Sequence, residues 1–279
     1  MKISIIIPTY NEASVIGECL KSLKEQSMSD FEVIVVDDGS TDSTVKTIIR
    51  LKTDDFNLKI LRGEHLGAGA ARNLGANQAV GQILVFVDAD MTFDIDFINN
   101  LVKPIQSGEA KGIFSKDEYV SNWNNVWARC WNVNEGWEDK KRHPKNYPDH
   151  QAVFRAILKS EFERVGGFTP GGYDDDWSLS RKLGYEAVAA SNAVFYHKNP
   201  GDLNEIFRHS KWVGKRKYKL GIFGYLMGLV RSSLPISLVI GIYKSILVLN
   251  FKFLIFKLVY DFGIFVGITE FLISGKSSK

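Results

Sequence analysis

The 279-residue sequence contains only two cysteines, Cys19 and Cys130. So few thiols exclude a disulfide framework and a cysteine-based zinc site. The N-terminus also lacks the pattern of a secretory signal, because Pro8 ends the apolar run of residues 3–7 early and no cleavage-site pattern follows. We therefore expect the bulk of the protein to lie in the cytosol.

Acidic residues are scarce in the last quarter of the chain. Residues 208–279 contain 12 Lys and Arg but only 2 Asp and Glu, a net charge of +10, whereas residues 1–207 have a net charge of −7. Such an asymmetry indicates that the tail meets something anionic, either a membrane surface or a nucleic acid. The overall composition is ordinary for a globular protein, and the length allows one large core or one domain with an appendage.

The most informative stretch is an apolar run that ends in two carboxylates. Residues 83–87 are apolar and predict a strand buried on both faces, and Asp88, Ala89 and Asp90 follow directly. Positions two apart in an extended chain point the same way, so Asp88 and Asp90 would project together from the end of a core strand. A hard divalent cation with oxygen ligands would relieve their repulsion. The alternative is a solvated turn, in which Asp is an ordinary residue.

Strand and helix patterns alternate through the first 90 residues. Strands are predicted at residues 3–7, 31–36, 58–61 and 83–87, with helices at 13–26, at 41–52 and from 67 onward. This alternation predicts an α/β fold, a parallel sheet covered by helices, in which ligands bind beyond the carboxyl ends of the strands. Polar clusters at residues 8–12, 37–40 and 88–90 all fall at those ends.

The second half of this region is less regular. Trp123, Trp127 and Trp131 recur at the spacing of one helical stripe, which favours core packing over an acceptor-binding face. The acidic run at residues 174–176 would either charge a helix N-terminus or place one carboxylate in a cleft. His197 ends a predicted short strand, where a structural role and a ligand role are both open.

Together these clusters resemble family 2 glycosyltransferases, whose nucleotide-sugar-binding fold is called GT-A. The resemblance covers roughly residues 1–200 and rests on the order and spacing of seven pieces. They are Ile-Pro-Thr-Tyr-Asn at 7–11, Val-Asp-Asp-Gly-Ser at 36–40, Gly-Ala-Gly-Ala-Ala-Arg-Asn at 67–73, Phe-Val-Asp-Ala-Asp at 86–90, Val-Gly-Gly-Phe at 165–168, Asp-Asp-Trp at 175–177, and His197.

The resemblance implies a set of residues that bind the donor nucleotide. Pro8 and Tyr10 would flank the nucleobase, and Asp38 would accept a hydrogen bond from it. Arg72 would help to hold the nucleotide. The remaining candidates for substrate binding are Glu12, Asp88, Gly167 and Trp177.

The resemblance also implies a metal and a general base. Asp88 would lie near the ribose and the metal, Asp90 would coordinate Mg²⁺ or Mn²⁺ on the diphosphate, and His197 would be an additional ligand. The cation would stabilise the leaving nucleoside diphosphate. Asp176 corresponds to the base that deprotonates the acceptor, with inversion at the anomeric carbon. Because the usual Glu-Asp pair reads Asp175-Asp176 here, Asp175 is a second candidate for the base. The Gln-x-x-Arg-Trp motif of processive synthases is absent, which favours transfer of a single sugar.

The tail combines charge with apolar runs. Residues 208–219 are basic with interleaved aromatic residues, as in nucleic-acid-binding segments, juxtamembrane strips and solvated helix faces. Two apolar stretches follow, at residues 233–249 and 253–273, and they favour the membrane. The first is slightly short for a span, and the second contains Lys257, Asp261 and Glu270. We expect a C-terminal hydrophobic helical hairpin that spans the membrane or lies in its interface, and no nucleic-acid partner.

The sequence therefore predicts a GT-A catalytic domain at residues 1–207 and a membrane-associated segment at 208–279. The expected activity is transfer of one sugar from a nucleotide-sugar donor to an acceptor that is lipid-linked, such as a polyprenyl phosphate or a lipid-linked glycan, on the cytoplasmic side. One alternative is a dinucleotide-dependent oxidoreductase, because residues 67–72 match half of the dinucleotide fingerprint; the third glycine is missing and the motif follows the third strand. The other alternative is an inactive membrane scaffold on a transferase fold.

Overall fold

The computed structural model describes residues 1–53, 56–170, 175–216 and 218–275, and for residues 175 and 176 it describes the backbone alone. The strands are β1 (Ile3–Thr9), β2 (Phe31–Asp37), β3 (Leu58–Arg62), β4 (Ile83–Phe86), β5 (Met91–Phe93), β6 (Gly112–Ser115), β7 (Glu118–Val120), β8 (His150–Gln151), β9 (Ala156–Leu158), β10 (Ala187–Ala190) and β11 (Phe195–His197). The helices are α1 (Ile16–Lys24), α2 (Thr44–Leu51), α3 (Ala68–Gln78), α4 (Phe97–Gln106), α5 (Val126–Glu135), α6 (Lys159–Arg164), α7 (Asp175–Leu183), α8 (Leu203–Gly214), α9 (Gly221–Arg231), α10 (Leu234–Leu247) and α11 (Lys252–Ser274).

The chain forms two compact units. The first consists of Met1–Tyr119 with Asn146–His197, and the second of Val120–Lys145 with the described part of Lys198–Ser278. The predicted boundary between residues 207 and 208 differs from this division, because it falls inside α8. Residues 120–145, which we expected in the catalytic domain, belong to the second unit.

An eight-stranded sheet is the centre of the first unit, with strand order β3-β2-β1-β4-β9-β6-β10-β8. Strands β1 to β4 are mutually parallel, while β9 runs antiparallel to both β4 and β6. Successive residues of the buried strands enter the cores on opposite faces; Ile5 and Ile7 pack on one face, and Ile6 and Phe86 on the other. The predicted α/β class and mostly parallel sheet are confirmed.

A second, three-stranded sheet has the order β5-β11-β7. Antiparallel pairing of β11 with β5 sets Phe195 opposite Phe93 and His197 opposite Met91. Met91 directly follows Asp90, so this register brings His197 to the end of the Asp88–Asp90 segment.

The second unit is helical, and its core is aromatic. Cys130 and Trp131 of α5 pack against Ile206 of α8 and against Phe253 and Phe256 of α11. The tryptophan stripe thus serves core packing at Trp131, as the sequence favoured. The helix itself begins only at Val126, so that Trp123 lies outside it.

The C-terminal apolar stretches form α10 and α11, and α9 precedes them. Within the described ranges, no single helix is both long and apolar enough to cross a membrane. Helices α9 and α10 reach that length and composition only together, as a pair bent by 59°. Attachment of this segment to a membrane stays a prediction.

Candidate active site

The polar clusters after β1, β2 and β4 meet at one edge of the main sheet. Parallel pairing sets Thr9 of β1 opposite Asp37 of β2, and the Asp38 amide donates to the carbonyl of Thr9 at 2.8 Å. On the other side of β1, the Val87 amide donates to the carbonyl of Ile6 at 3.2 Å. Because parallel strands end at the same edge, the loops with Glu12, Asp38, Asp88 and Asp90 lie side by side, as predicted.

The carboxylate of Asp38 fixes the loop that leads into α3. Its two oxygens accept the backbone amides of Leu66, at 3.0 Å, and Gly67, at 2.8 Å. Gly67 has a φ of 95°, which glycine adopts without strain. Any hydrogen bond from Asp38 to a nucleobase would therefore use the remaining lone pairs of a carboxylate that the loop already orients.

An aromatic pair stands beside this loop. The rings of Tyr10 and His65 stack with their centroids 4.2 Å apart, and Tyr10 is exposed. Pro8 lies within β1 and is buried, and its predicted contact with a nucleobase stays a prediction. His65 was not predicted from the sequence, because a lone histidine in a loop carries no periodic or motif signal.

Two arginines hold Asp88. Arg72 donates to one carboxylate oxygen at 2.7 Å and Arg155 to the other at 3.1 Å. Burial alone would raise the pKa of Asp88, but attraction to Arg72, Arg155 and His197 outweighs it and holds this pKa well below its usual range. Each oxygen accepts from one guanidinium group, so Asp88 anchors the two arginines. Its predicted role as a metal ligand stays a prediction.

Asp90 and His197 form the second ionic cluster of the site. The Nε2 atom of His197 lies 2.8 Å from Asp90, and its Nδ1 atom lies 2.9 Å from Glu118. A neutral imidazole has one N–H, so it can donate to only one of these two carboxylates. A protonated ring would satisfy both contacts, and so would a bound cation that Asp90 and Nε2 would hold together while Nδ1–H donates to Glu118.

This cluster fits a divalent cation that is shared with a substrate. Among the described residues, no group of three His, Cys, Asp or Glu side chains is arranged to hold a metal ion. Mg²⁺ and Mn²⁺ sites that also bind phosphates need only one or two protein ligands, since water and phosphate oxygens supply the rest. Asp90 and His197 provide one oxygen and one nitrogen donor, and Glu118 fixes the imidazole through Nδ1, as outer carboxylates do around metal-binding histidines.

Glu12 adds a further carboxyl group to the same edge. Its backbone amide donates to Oγ1 of Thr44 at 2.8 Å, which fixes the loop after β1. Burial, followed by repulsion from Asp90, Asp42 and Asp88, raises the pKa of Glu12 to about 7. Glu12 therefore keeps its proton up to about neutral pH.

Gly167 has a structural explanation. Its φ is +68°, and a Cβ atom there would lie 2.5 Å from Oδ1 of Asn73. The Asn73 amide accepts the Phe168 N–H and donates to the Phe168 carbonyl, both at 2.9 Å. The glycine thus allows this loop to bind α3. The substrate contact predicted for Gly167 stays a prediction.

The predicted base lies at the start of α7. Asp175 and Asp176 belong to its first turn, but their side chains lie outside the described residues, so the assignment of the base stays a prediction. Trp177, the next residue, is exposed.

Comparison with known proteins places these features in a family. Residues 4–166 match the family model described as Glycosyl transferase family 2. Glycosyltransferase GlyA of Streptococcus pneumoniae is 34% identical over 109 residues, which cover 39% of this chain and 16% of the relative. The poly(ribitol-phosphate) beta-N-acetylglucosaminyltransferase TarS of Staphylococcus aureus is 42% identical over 103 residues, 36% of this chain and 17% of the relative. Each match thus spans under a fifth of the relative's length.

The likeness to a solved structure extends over almost the whole chain. The mannosyltransferase PcManGT of Pyrobaculum calidifontis, in complex with GDP-Man and Mn²⁺, superposes with a TM-score of 0.62 over 98% of this chain and 88% of that one. The sequence identity is 21%, so the likeness is one of fold.

Proposed function

The chain belongs to glycosyl transferase family 2 and has the GT-A fold, and from this premise we propose that it moves a single sugar from a nucleotide-sugar donor to an acceptor. The observation that carries the proposal is the meeting of three groups at one sheet edge. They are the loop held by Asp38, the arginine-bound Asp88 and the Asp90–His197 pair. In the proposed reaction the acceptor attacks the anomeric carbon of the sugar, the nucleoside diphosphate leaves, and the configuration of that carbon inverts.

The donor nucleotide would lie along this edge. Tyr10 offers an exposed ring for stacking on the base, next to the carboxylate of Asp38. Arg72 and Arg155 bring two positive charges to Asp88 and so leave a net positive charge near the diphosphate. Asp90 and His197 would hold the cation. When bound, Mg²⁺ or Mn²⁺ supplies positive charge that stabilises the leaving nucleoside diphosphate.

The acceptor half of the reaction belongs to Asp176, or to Asp175, as the base that takes the acceptor proton. We propose a lipid-linked acceptor and a site on the cytoplasmic side of a membrane. Support for this comes from the basic and apolar composition of residues 208–279. If the acceptor is a phosphate, it is already ionised at neutral pH, and the carboxylate then positions it.

The oxidoreductase alternative loses its main support in the geometry of the glycine motif. Gly67 and Gly69 open α3, which follows β3 at the edge of the sheet, whereas the dinucleotide fingerprint follows the first strand. The Gly67 amide is also bound to Asp38 and does not point to an open phosphate site.

A panel of UDP- and GDP-sugars with Mn²⁺ tests the proposal. Asp90→Ala should abolish metal-dependent donor binding in calorimetry, while Asp30→Ala, at an exposed loop position, should bind as the unmodified chain does. Asp176→Asn should bind the donor but lose transfer, and NMR of the product should show the inverted anomer. Metal-dependent binding that persists in Asp90→Ala would refute the metal role, and a chain that neither binds nor hydrolyses any nucleotide sugar would be the inactive scaffold.

A further inference from the structure

Helices α9 and α10 expose large apolar side chains along one face each. On α9 the exposed residues are Ile222, Phe223, Leu226, Met227 and Val230. On α10 they are Leu234, Leu238, Val239, Ile242, Ile246 and Leu247. These eleven residues, here called the outer apolar face, recur at helical spacing, so each helix presents a continuous apolar stripe.

The buried side of α10 is small and polar, whereas α9 buries Gly224 and Tyr225. Helix α10 buries Ser237, Gly241 and Ser245, and a Cβ atom at Gly241 would lie 2.7 Å from a methyl group of Leu254 on α11. A surface helix of a water-soluble protein shows the opposite pattern, with its apolar face inward. Small residues between helices and large apolar residues outside are typical of helices whose surroundings are lipid.

Charged side chains are buried where α10 packs against α11. Lys257 and Asp261 of α11 are only 4% and 3% exposed and form an ion pair at 2.8 Å. Ser237 of α10 donates to the second oxygen of Asp261 at 2.7 Å. Charged side chains on the inside and apolar side chains on the outside are typical of helices in lipid.

The segment that carries the outer apolar face has charge of one sign. Residues 218–251 contain no Asp or Glu, and the charged side chains in and beside this stretch include Lys219, Arg231 and Lys252, all exposed. Basic residues beside an apolar surface complement the anionic headgroups of a bilayer. This complementarity favours a bilayer over a protein partner as the occupant.

The lengths of the helices favour insertion over crossing. Helix α9 has 11 residues and α10 has 14, which correspond to about 16 and 21 Å, whereas a bilayer core is about 30 Å thick. The bend of 59° between them prevents them from acting as one straight span.

Helix α11 is long enough but is covered by a polar helix. Gly263 and Gly267 approach Ser210 and Lys211 of α8 so closely that a Cβ atom would collide with them. Glu270 of α11 is also held by Lys215 at 2.6 Å, and α8 exposes Arg208 and His209 to water. Lipid therefore cannot surround α11.

We propose that the outer apolar face inserts into one leaflet of an anionic bilayer, with α9 and α10 lying in the plane of the headgroup–acyl boundary. The inference deepens the membrane attachment that is part of the proposed function, and its test needs no catalysis.

The test is flotation of the full chain with preformed vesicles, either pure phosphatidylcholine or phosphatidylcholine with phosphatidylglycerol. The chain should float with the anionic vesicles, about tenfold more weakly with neutral ones, and should be released on dilution. Phe223→Glu with Val239→Glu, at positions 70% and 69% exposed, should lower the partition coefficient at least about tenfold. The matched control, Ile49→Glu with Val80→Glu, changes exposed apolar residues of the first unit and should float like the unmodified chain.

Several outcomes would overturn the proposal. Equal flotation of the two double variants would mean that another surface binds the vesicles. Light scattering that shows a dimer, converted to monomer by Phe223→Glu with Val239→Glu and without flotation, would identify a second copy as the occupant. Binding that requires detergent reconstitution and survives dilution would indicate crossing. Flotation without sugar transfer still supports insertion, whereas transfer to a soluble acceptor without flotation refutes it while leaving the proposed function standing.

Discussion

At the scale of single residues, Asp88 depends on two arginines from distant parts of the chain. Arg72 lies on α3, and Arg155 directly precedes β9. Arg155 is also fixed through its backbone, because its carbonyl accepts the Phe86 amide at 2.8 Å. Both guanidinium groups are therefore held in place before any substrate binds, which lowers the cost of organising the site.

Loss of Arg155 should impair transfer more than stability. We expect Arg155→Met to lower kcat/KM by about 10- to 100-fold, since Asp88 loses one anchor and the edge loses a positive charge. Arg155→Lys should recover part of the loss, because the charge returns without the guanidinium geometry. Steady-state kinetics with the active donor measure this, and Arg164→Met, which removes an exposed partner of Glu161, is the control. Unchanged kinetics in Arg155→Met would remove Arg155 from the site.

Glu12 should make stability depend on pH. Its pKa of about 7 in the folded chain exceeds the ordinary value of 4.5, so its contribution is fully present below pH 4.5 and is lost as the pH rises through 7. Glu12→Gln removes the ionisable proton. The variant should match the original chain near pH 4 and exceed it near pH 8 by on the order of 1 kcal/mol, after allowance for solvent screening.

Urea unfolding in the presence of EDTA, at both pH values, measures this difference. EDTA is needed because a bound cation would itself stabilise the carboxylate. Equal unfolding midpoints of Glu12→Gln and the original chain at pH 8 would show that burial and the neighbouring carboxylates do not raise the pKa of Glu12 to about 7.

At the scale of elements, the turn after α6 joins two parts of the first unit. Gly166 and Gly167 both have positive φ, at +70° and +68°. Only Gly167 faces Asn73 of α3; at Gly166 nothing lies within 4 Å of a Cβ position. Substitutions at these two glycines therefore distinguish the cost of backbone strain from the cost of a steric clash.

Gly167→Ala should destabilise the protein by about 3 kcal/mol, and Gly166→Ala by about 1 kcal/mol. The difference arises because an added methyl group at Gly167 displaces the Asn73 amide from the backbone of Phe168. Thermal unfolding of both variants measures it. Equal losses would mean that the Asn73 contact contributes little.

The type of an element, helix or strand, was predictable where the residues of that segment form a hydrophobic pattern by themselves. The strands β1, β2 and β4 are apolar runs, and they were found within about two residues of their observed ends. The place of β9 in the sheet, antiparallel between β4 and β6, was not predictable. The three residues of this strand carry no information about their pairing partners. Arg155 and Glu118 were missed for this reason, since their roles depend on pairing partners far away in the sequence.

At the scale of the whole molecule, charge and packing divide the chain differently. The sequence indicated a boundary at residue 207, where basic residues begin to dominate. The second unit instead combines residues 120–145 with the C-terminal helices, because Trp131 and Cys130 find their apolar partners on α11. Local amino-acid composition shows where basic residues are concentrated, but it does not show which aromatic residues pack against each other.

A chain that ends at residue 207 should therefore fail as an isolated domain. It would retain Trp131 but lose Phe253 and Phe256, and it would cut α8 in its middle. Exposed aromatic surface of this kind leads to aggregation. We expect insoluble or aggregated protein by size-exclusion chromatography, whereas a chain that ends at Gly275 should stay monodisperse in detergent. A folded, monodisperse 1–207 chain would contradict the division into units.

The burial of both cysteines has a practical consequence. Cys19 and Cys130 are shielded by neighbouring side chains, and burial raises the pKa of both thiols, to about 11 at Cys130. Maleimide dyes react with thiolates that water can reach, so the native chain should stay unlabelled at neutral pH. A cysteine introduced at any exposed position would then be a unique attachment point for a fluorophore, and the protein can be studied by single-molecule spectroscopy without first removing its own thiols.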